Sequence, residues 1–303
     1  GKAYIDDFLP GFMEDSYVDG KIYSIPFQRS TMVLYYNKDA FKEVGLDPEA
    51  PPTTWEELAE YGQKLTNDGR YGVGIALNSG SAQWAFTGFC LQNSTDGQNL
   101  MSEDGKSVYF NTPENVEALQ FWLDLQNEYK CMAEGIVQWT DLPTQFLAGE
   151  VAMIYHTTGN MANIHDNADF DFGTAFLPAH KRVGAPTGGG NFYISSNISE
   201  DRVQAAWKFI KFATSTDRAV QWSLDTGYVA TRQSCFDTDL IKDYYAEVPQ
   251  ASVAYEQLPY AKPELTTYNA AEIWRVLNDN IQAAVVGDMS AQEALDAAQE
   301  QAE

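Results

Sequence analysis

Along IPFQRSTMVLYYNKDAF (25–41) the chain runs apolar, then polar at Gln28, Arg29, Ser30 and Thr31, then apolar again from Met32 to Tyr36. A strand buried on both faces has no use for a cation at its mouth. The pattern therefore predicts a strand whose polar half lines a cleft and whose apolar half enters a core. GKIYSIPF and TMVLYYN read as two β segments, with Asp19-Gly20 as a turn before them. YGVGIAL (71–77), SVYFN (107–111), EVAMIYH and FDFGTAFLP read as further strands, with Ser102–Lys106 as the hairpin turn before the second. GAPTGGGNFYISS reads as a glycine-rich approach to another strand.

Between the strands the apolar period lengthens to that of helices. Asn37 to Val44 is a short helix closed by Gly45. Thr54 is placed to cap the next, Glu57 to complete its capping box, and Trp55, Leu58, Tyr61 and Leu65 form one stripe that Gly69 ends. Thr112-Pro113 opens a helix over about 113–130. Shorter helices are predicted at 141–149 and after Thr157 or Thr158, then over about 200–214, 217–226 and 269–286, and finally after Ser290 with Glu293 in its box. Strands alternate with helices throughout, which gives an α/β class without internal repeats.

Charge and composition narrow the function. The 303 residues carry 19 Lys and Arg against 43 Asp and Glu, a net charge of -24. That surface repels nucleic acid and anionic lipid alike. The 44% hydrophobic content supports a sizeable core. Cys90, Cys131 and Cys235 are far apart and form no CxxC, so zinc is not indicated, and an odd count leaves room for one disulfide at most. His156, His165 and His180 lack metal-ligand spacing, and no nucleophile elbow, P-loop or dinucleotide fingerprint occurs. Neither metal nor cofactor is implied. Gly188, Gly189 and Gly190 precede a strand and suit a close approach of backbone to backbone or ligand. Trp84, Tyr228 and Trp274 stand among polar neighbours, as rings that stack on sugars do.

Several of these stretches carry a family. YYNKDAF followed by PPTTWEEL strongly resembles the extracellular solute-binding proteins of ABC importers, in the branch of the maltose, multiple-sugar and glycerol-3-phosphate binders. FLAGEVAMIYHTTGNMANI, DFGTAFLP, GGGNFYIS, AAWKFIKFATSTDRAVQWSLDTGYVATR and AAVVGDMSAQEALDAA extend the likeness over essentially the whole chain. The resemblance implies a two-lobe, class II periplasmic-binding-protein fold that closes on ligand by a hinge at crossing strands. It implies residues 1–36 as the remainder of lobe one with a crossing strand, 37–188 as lobe two, 189–229 as lobe one again, and 230–303 as a crossing segment with C-terminal helices of lobe two. Family members have a leader and further elements of the first lobe ahead of this point, so the likeness implies an incomplete first lobe.

Carried over by position, the resemblance places ligand contacts at Arg29, Ser30, Trp84, His156, Thr157, Thr158, Gly189, Gly190, Tyr228 and Trp274. It implies a sugar, short oligosaccharide or glycerol-phosphate-like polyol held in an interlobe cleft, ABC permease subunits as partners, a monomer, and an extracytoplasmic location, either periplasmic or as a cell-surface lipoprotein. It implies no enzymatic activity. Two departures bear on the ligand. Where glycerol-phosphate binders carry an arginine ahead of the last long helix, this chain reads PELTTYNAAE, with Thr266 or Thr267 at that place. Where the maltose-type branch has an extra tryptophan in the helix-opening turn, this chain has Gly159. A glycoside hydrolase, suggested by acidity and aromatics, and a sugar sensor without transport are the alternative functions.

Overall fold

A computed structural model describes residues 1–78, 80–97 and 100–303. Its strands are β1 (Tyr17–Val18), β2 (Lys21–Ile22), β3 (Ile25–Asn37), β4 (Tyr71–Gly74), β5 (Val151–Thr157), β6 (Phe172–Ala175), β7 (Ala185–Phe192) and β8 (Ala261–Pro263). The Asp19-Gly20 turn forms as expected: both residues have positive φ, 48° and 72°, and β1 and β2 pair antiparallel around them.

The opening stretch is one strand of 13 residues rather than two segments. Its first half pairs antiparallel with β7, Gln28 facing Gly190, Arg29 facing Gly189 and Ser30 facing Gly188, with a register shift between Pro26 and Gln28. Pro26 has no amide hydrogen to give the ladder, which suits an irregularity there. The second half pairs antiparallel with β5 and, at its end, with β6. Parallel β4 extends the sheet beyond β5, and parallel β8 extends it beyond β7. β3 is thus the ribbon that both halves of the sheet share.

Side-chain alternation explains why Met32–Tyr36 is apolar without interruption. Met32, Leu34 and Tyr36 enter the larger hydrophobic cluster, while Val33 and Tyr35 enter a second one on the opposite face. Two smaller clusters lie apart, one around Phe8, Met13, Ile25 and Ile210, the other around Val220, Cys235 and Ile241.

The capped helices form where their signals lie. Thr112 Oγ1 accepts from the Asn115 N–H at the head of Pro113–Asn127, and Ser290 with Glu293 makes a complete capping box. Glu57 differs by one residue: its carboxylate takes the Thr53 N–H and hydroxyl, while Thr54 caps Glu57. That helix ends at Leu65, ahead of Gly69.

Other expectations need correction. Residues 107–111 do not form a strand; only a Met101–Val108 bridge forms. The Phe110 N–H goes to Gln299 Oε1 of the last helix, and Ser102 Oγ collects the Lys106 and Ser107 N–H groups, so no ladder is left to build. The strand of 71–77 stops at Gly74. Gly188–Gly190 lie within β7 rather than ahead of it. All three cysteines are buried free thiols, which leaves no disulfide.

Candidate functional site

At the seam between β3 and β7 the backbones approach closely. Gly189 has φ +99°, and a Cβ there would fall 2.0 Å from the Gln28 carbonyl oxygen. A Cβ on Gly188 would fall 2.7 Å from Trp84 Cζ2, so the absent side chain is what lets the indole lie against the strand. Trp84 belongs to the helix Ala82–Asn93, whose Gln83 N–H is taken by Asn278 Oδ1 at 2.9 Å. Its Nε1–H donates to the Thr187 carbonyl at 3.0 Å. Both ends of the ring system are therefore fixed.

Trp139, which sequence reasoning missed, continues this surface. Its ring centroid lies 5.7 Å from that of Trp84 and 3.8 Å from that of His156, stacked on the imidazole at 22°. Its N–H donates to Asn78 Oδ1 at 2.8 Å, and its carbonyl lies 3.3 Å from His156 Nε2. Only a protonated Nε2 makes that contact a hydrogen bond, and in the neutral ring this leaves Nδ1 a bare acceptor, buried and without a partner.

His156 is 3% exposed. Burial pushes its pKa down to about 4, against the pull of the Trp139 carbonyl, so the ring is neutral at physiological pH. As the pH falls from 6.5 toward 4, the unfolded chain takes up a proton that the native imidazole refuses. Stability is whole above that window and is lost as the pH drops through it. Urea unfolding at pH 7 and pH 4 is expected to show the wild type losing about 3 kcal/mol more than His156→Gln, which keeps a donor for Trp139 but does not titrate. Equal losses would mean that the imidazole is not held neutral.

The turn after β5 lies beside this row. Thr157 Oγ1 accepts the Gly159 N–H, so that helix-opening amide is already satisfied, and the turn is a 3-10 segment before the helix Met161–Asn167. Thr158 Oγ1 and Asn160 Nδ2 are buried and unpartnered. A Cβ on Gly159 would sit 2.7 Å from the Tyr228 ring, so the phenol occupies the space over that glycine. Tyr228 is delivered there because the next residue, Val229, donates its N–H to the Arg29 carbonyl at 2.9 Å. Trp222 follows at 6.4 Å from Tyr228, and Phe27 at 4.9 Å from Trp222.

Arg29 is not the open cation its sequence position implies. It is 3% exposed, and Nη2 donates to Asp15 at 2.9 Å and to Thr187 Oγ1 at 3.3 Å. Burial pushes the Asp15 carboxyl up while Arg29 pulls it down. Ser30 is 2% exposed, and the Thr31 hydroxyl is spent on the Pro186 carbonyl. Gly190 has ordinary space for a side chain. Trp274 stands apart: its Nε1–H is taken by the Leu265 carbonyl, and among the described residues its ring stacks on no other. Among those residues too, no cluster of potential metal ligands forms, and no helix is long and apolar enough to cross a membrane.

A strand common to both halves of the sheet, an aromatic row and unsatisfied buried polar atoms thus lie together. The model of the bacterial extracellular solute-binding protein family matches residues 1–250, and this chain belongs to that family. It is 31% identical to the sn-glycerol-3-phosphate-binding periplasmic protein UgpB of Salmonella typhimurium, over 96% of this chain and 69% of that one. UgpB from Mycobacterium tuberculosis, solved with glycerophosphocholine, superposes with a TM-score of 0.87 at 27% identity, over 98% of this chain and 74% of that one. The cyclic alpha-maltosyl-1,6-maltose binding protein of Arthrobacter globiformis gives a TM-score of 0.85 at 26% identity, over 100% of this chain and 76% of that one. The fold is that of the periplasmic binding proteins, and the protein is a solute-binding protein that acts outside the cytoplasm.

Proposed function

We propose that this protein captures a neutral sugar, short oligosaccharide or polyol for an ABC importer, holding it against the Trp84–Trp139–His156 row and Tyr228 and handing it as a monomer to the permease. The carrying observation is the row itself. Trp139 stacks on the neutral His156 imidazole and lies beside Trp84, and an indole face is suited to the C–H face of a saccharide. His156 Nδ1, Thr158 Oγ1 and Asn160 Nδ2 supply two acceptors and a donor group for hydroxyls. The ligands named for the relatives include the phosphate esters sn-glycerol-3-phosphate and glycerophosphocholine as well as the neutral cyclic maltosyl-maltose and, for a binding protein of Agrobacterium radiobacter at 26% identity, ribitol. A phosphate ester calls for a free fork of donors, and Arg29 is already committed to Asp15. His156, neutral, adds no charge.

Closure on the ligand is proposed to hinge at β3, which belongs to both halves of the sheet. Calorimetric titration against maltose, cyclic maltosyl-maltose, tagatose, ribitol and sn-glycerol-3-phosphate tests the reading. Heat is expected with a neutral member, and Trp139→Ala is expected to weaken that binding by about tenfold. Heat with the phosphate ester alone, or with none, would sink it.

A further inference from the structure

We propose that Glu264 and Gln83 form a polar flank beside the Trp84 end of the aromatic row and grip ligand hydroxyls there, an inference that rests on the sugar-binding reading. The aromatic row supplies faces, but discrimination among polyhydroxylated ligands comes from donors and acceptors at fixed points. The start of the helix Ala82–Asn93 has such points. Gln83 is 1% exposed, yet its Oε1 has no partner. Asn278, whose Oδ1 holds the Gln83 N–H, has its Nδ2 unpartnered as well. Arg29 Nε is the third such atom. One bare acceptor and two bare donors, none satisfying another, thus lie together and are open to a ligand's hydroxyls.

Glu264 completes the group. It follows β8 directly, is half-buried, and lies against the Gln83 amide within the fields of Arg29 and Asp15. Arg29 and Trp84 both reach Thr187, one at its hydroxyl and one at its carbonyl, so the polar group and the indole share one neighbour. Six segments of chain meet here: the 3-10 turn bearing Asp15, β3, the helix start at Gln83, β7, the residue after β8, and the helix Ala270–Val285 that bears Asn278.

Burial pushes the Glu264 carboxyl up to about 7; Arg29 and Gln83 oppose that and Asp15 adds to it. Near neutrality the carboxyl is therefore divided between its acid and its anion. A hydroxyl donated by the ligand favours the anion, so ligand lowers this pKa and affinity rises with pH across the window. The charged groups around Asp15 are Arg29 and Glu14, the latter 3.9 Å from Lys262, with Glu103 in the field of Glu14. His156, with its pKa near 4, has finished titrating below this range.

The test is calorimetry of wild type, Glu264→Gln and Gln83→Met at pH 6 and pH 8, with the same five solutes and circular dichroism to confirm folding. The wild type is expected to bind its neutral solute about fivefold more tightly at pH 8 than at pH 6. Glu264→Gln should bind about tenfold more weakly than wild type at pH 8 and show no pH dependence. Gln83→Met, which keeps the carboxyl, should lose affinity and retain the slope. Wild-type binding with unchanged affinity and slope in Glu264→Gln overturns this assignment alone. If Glu264→Gln does not fold, Gln83→Met with wild-type affinity overturns it. Wild type binding none of the five solutes overturns both this assignment and the sugar-binding reading.

Discussion

Asp15→Ala is expected to lower the free energy of unfolding by about 3–5 kcal/mol. Arg29 is 3% exposed and its partner's side chain 12%, so the guanidinium would stay buried with its counter-charge gone. Thr187 Oγ1 at 3.3 Å and Asn191 Oδ1 at 3.4 Å remain, but both are neutral and long. The Phe12 ring, 5.5 Å from the guanidinium carbon, adds only a weak attraction. The loss measures an abandoned charge rather than the worth of the pair. The double variant Asp15→Leu with Arg29→Met should therefore recover most of it, because apolar replacements abandon no charge. Urea unfolding of the two proteins decides the matter, and a cost below about 1 kcal/mol for Asp15→Ala would show the pair to be solvated after all.

Gly189→Ala is expected to cost about 4 kcal/mol or more, whereas Gly190→Ala should change stability by less than about 1 kcal/mol. The contrast arises within one strand. At Gly189 the backbone sits at φ +99°, and the new Cβ would be 2.0 Å from the Gln28 carbonyl oxygen, with Arg29 Cα at 3.0 Å. Those are main-chain atoms of the paired strand, so relief requires β3 and β7 to part. At Gly190 the nearest atoms are the flexible end of Gln28 at 3.6 Å. Ligand affinity should follow the same order, since the Gly189 seam also seats Trp84 and, through the Arg29 carbonyl, Tyr228. Thermal melts with ligand titrations check both variants; similar melting temperatures for the two would refute the backbone-contact account.

How far the site could be read in the sequence depended on the range of the interactions that build it. Local grammar was enough for Asp19-Gly20, for the Thr112 and Ser290 caps and for the helix after β5, since each is decided within four residues. The family likeness gave the fold. It did not give the state of Arg29, because Asp15 lies in a short 3-10 turn without periodicity and meets Arg29 only after folding. Trp139 lies in a loop outside any helical stripe, and its place between Trp84 and His156 is a tertiary fact. The 13-residue strand was legible as one strand with a polar and an apolar half, although GKIYSIPF and TMVLYYN taken separately read as two segments. The bond from the Trp274 ring nitrogen to the Leu265 carbonyl, in the loop ahead of its own helix, was likewise not legible in the sequence.

A ribbon that lends one face to each of two oily interiors makes those interiors thermodynamically inseparable. Loosening either one strips neighbours from Met32–Tyr36 and is felt at once on the other side. Most of the molecule should therefore melt as a single cooperative unit, with the small clusters around Phe8 and Cys235 the first to fray.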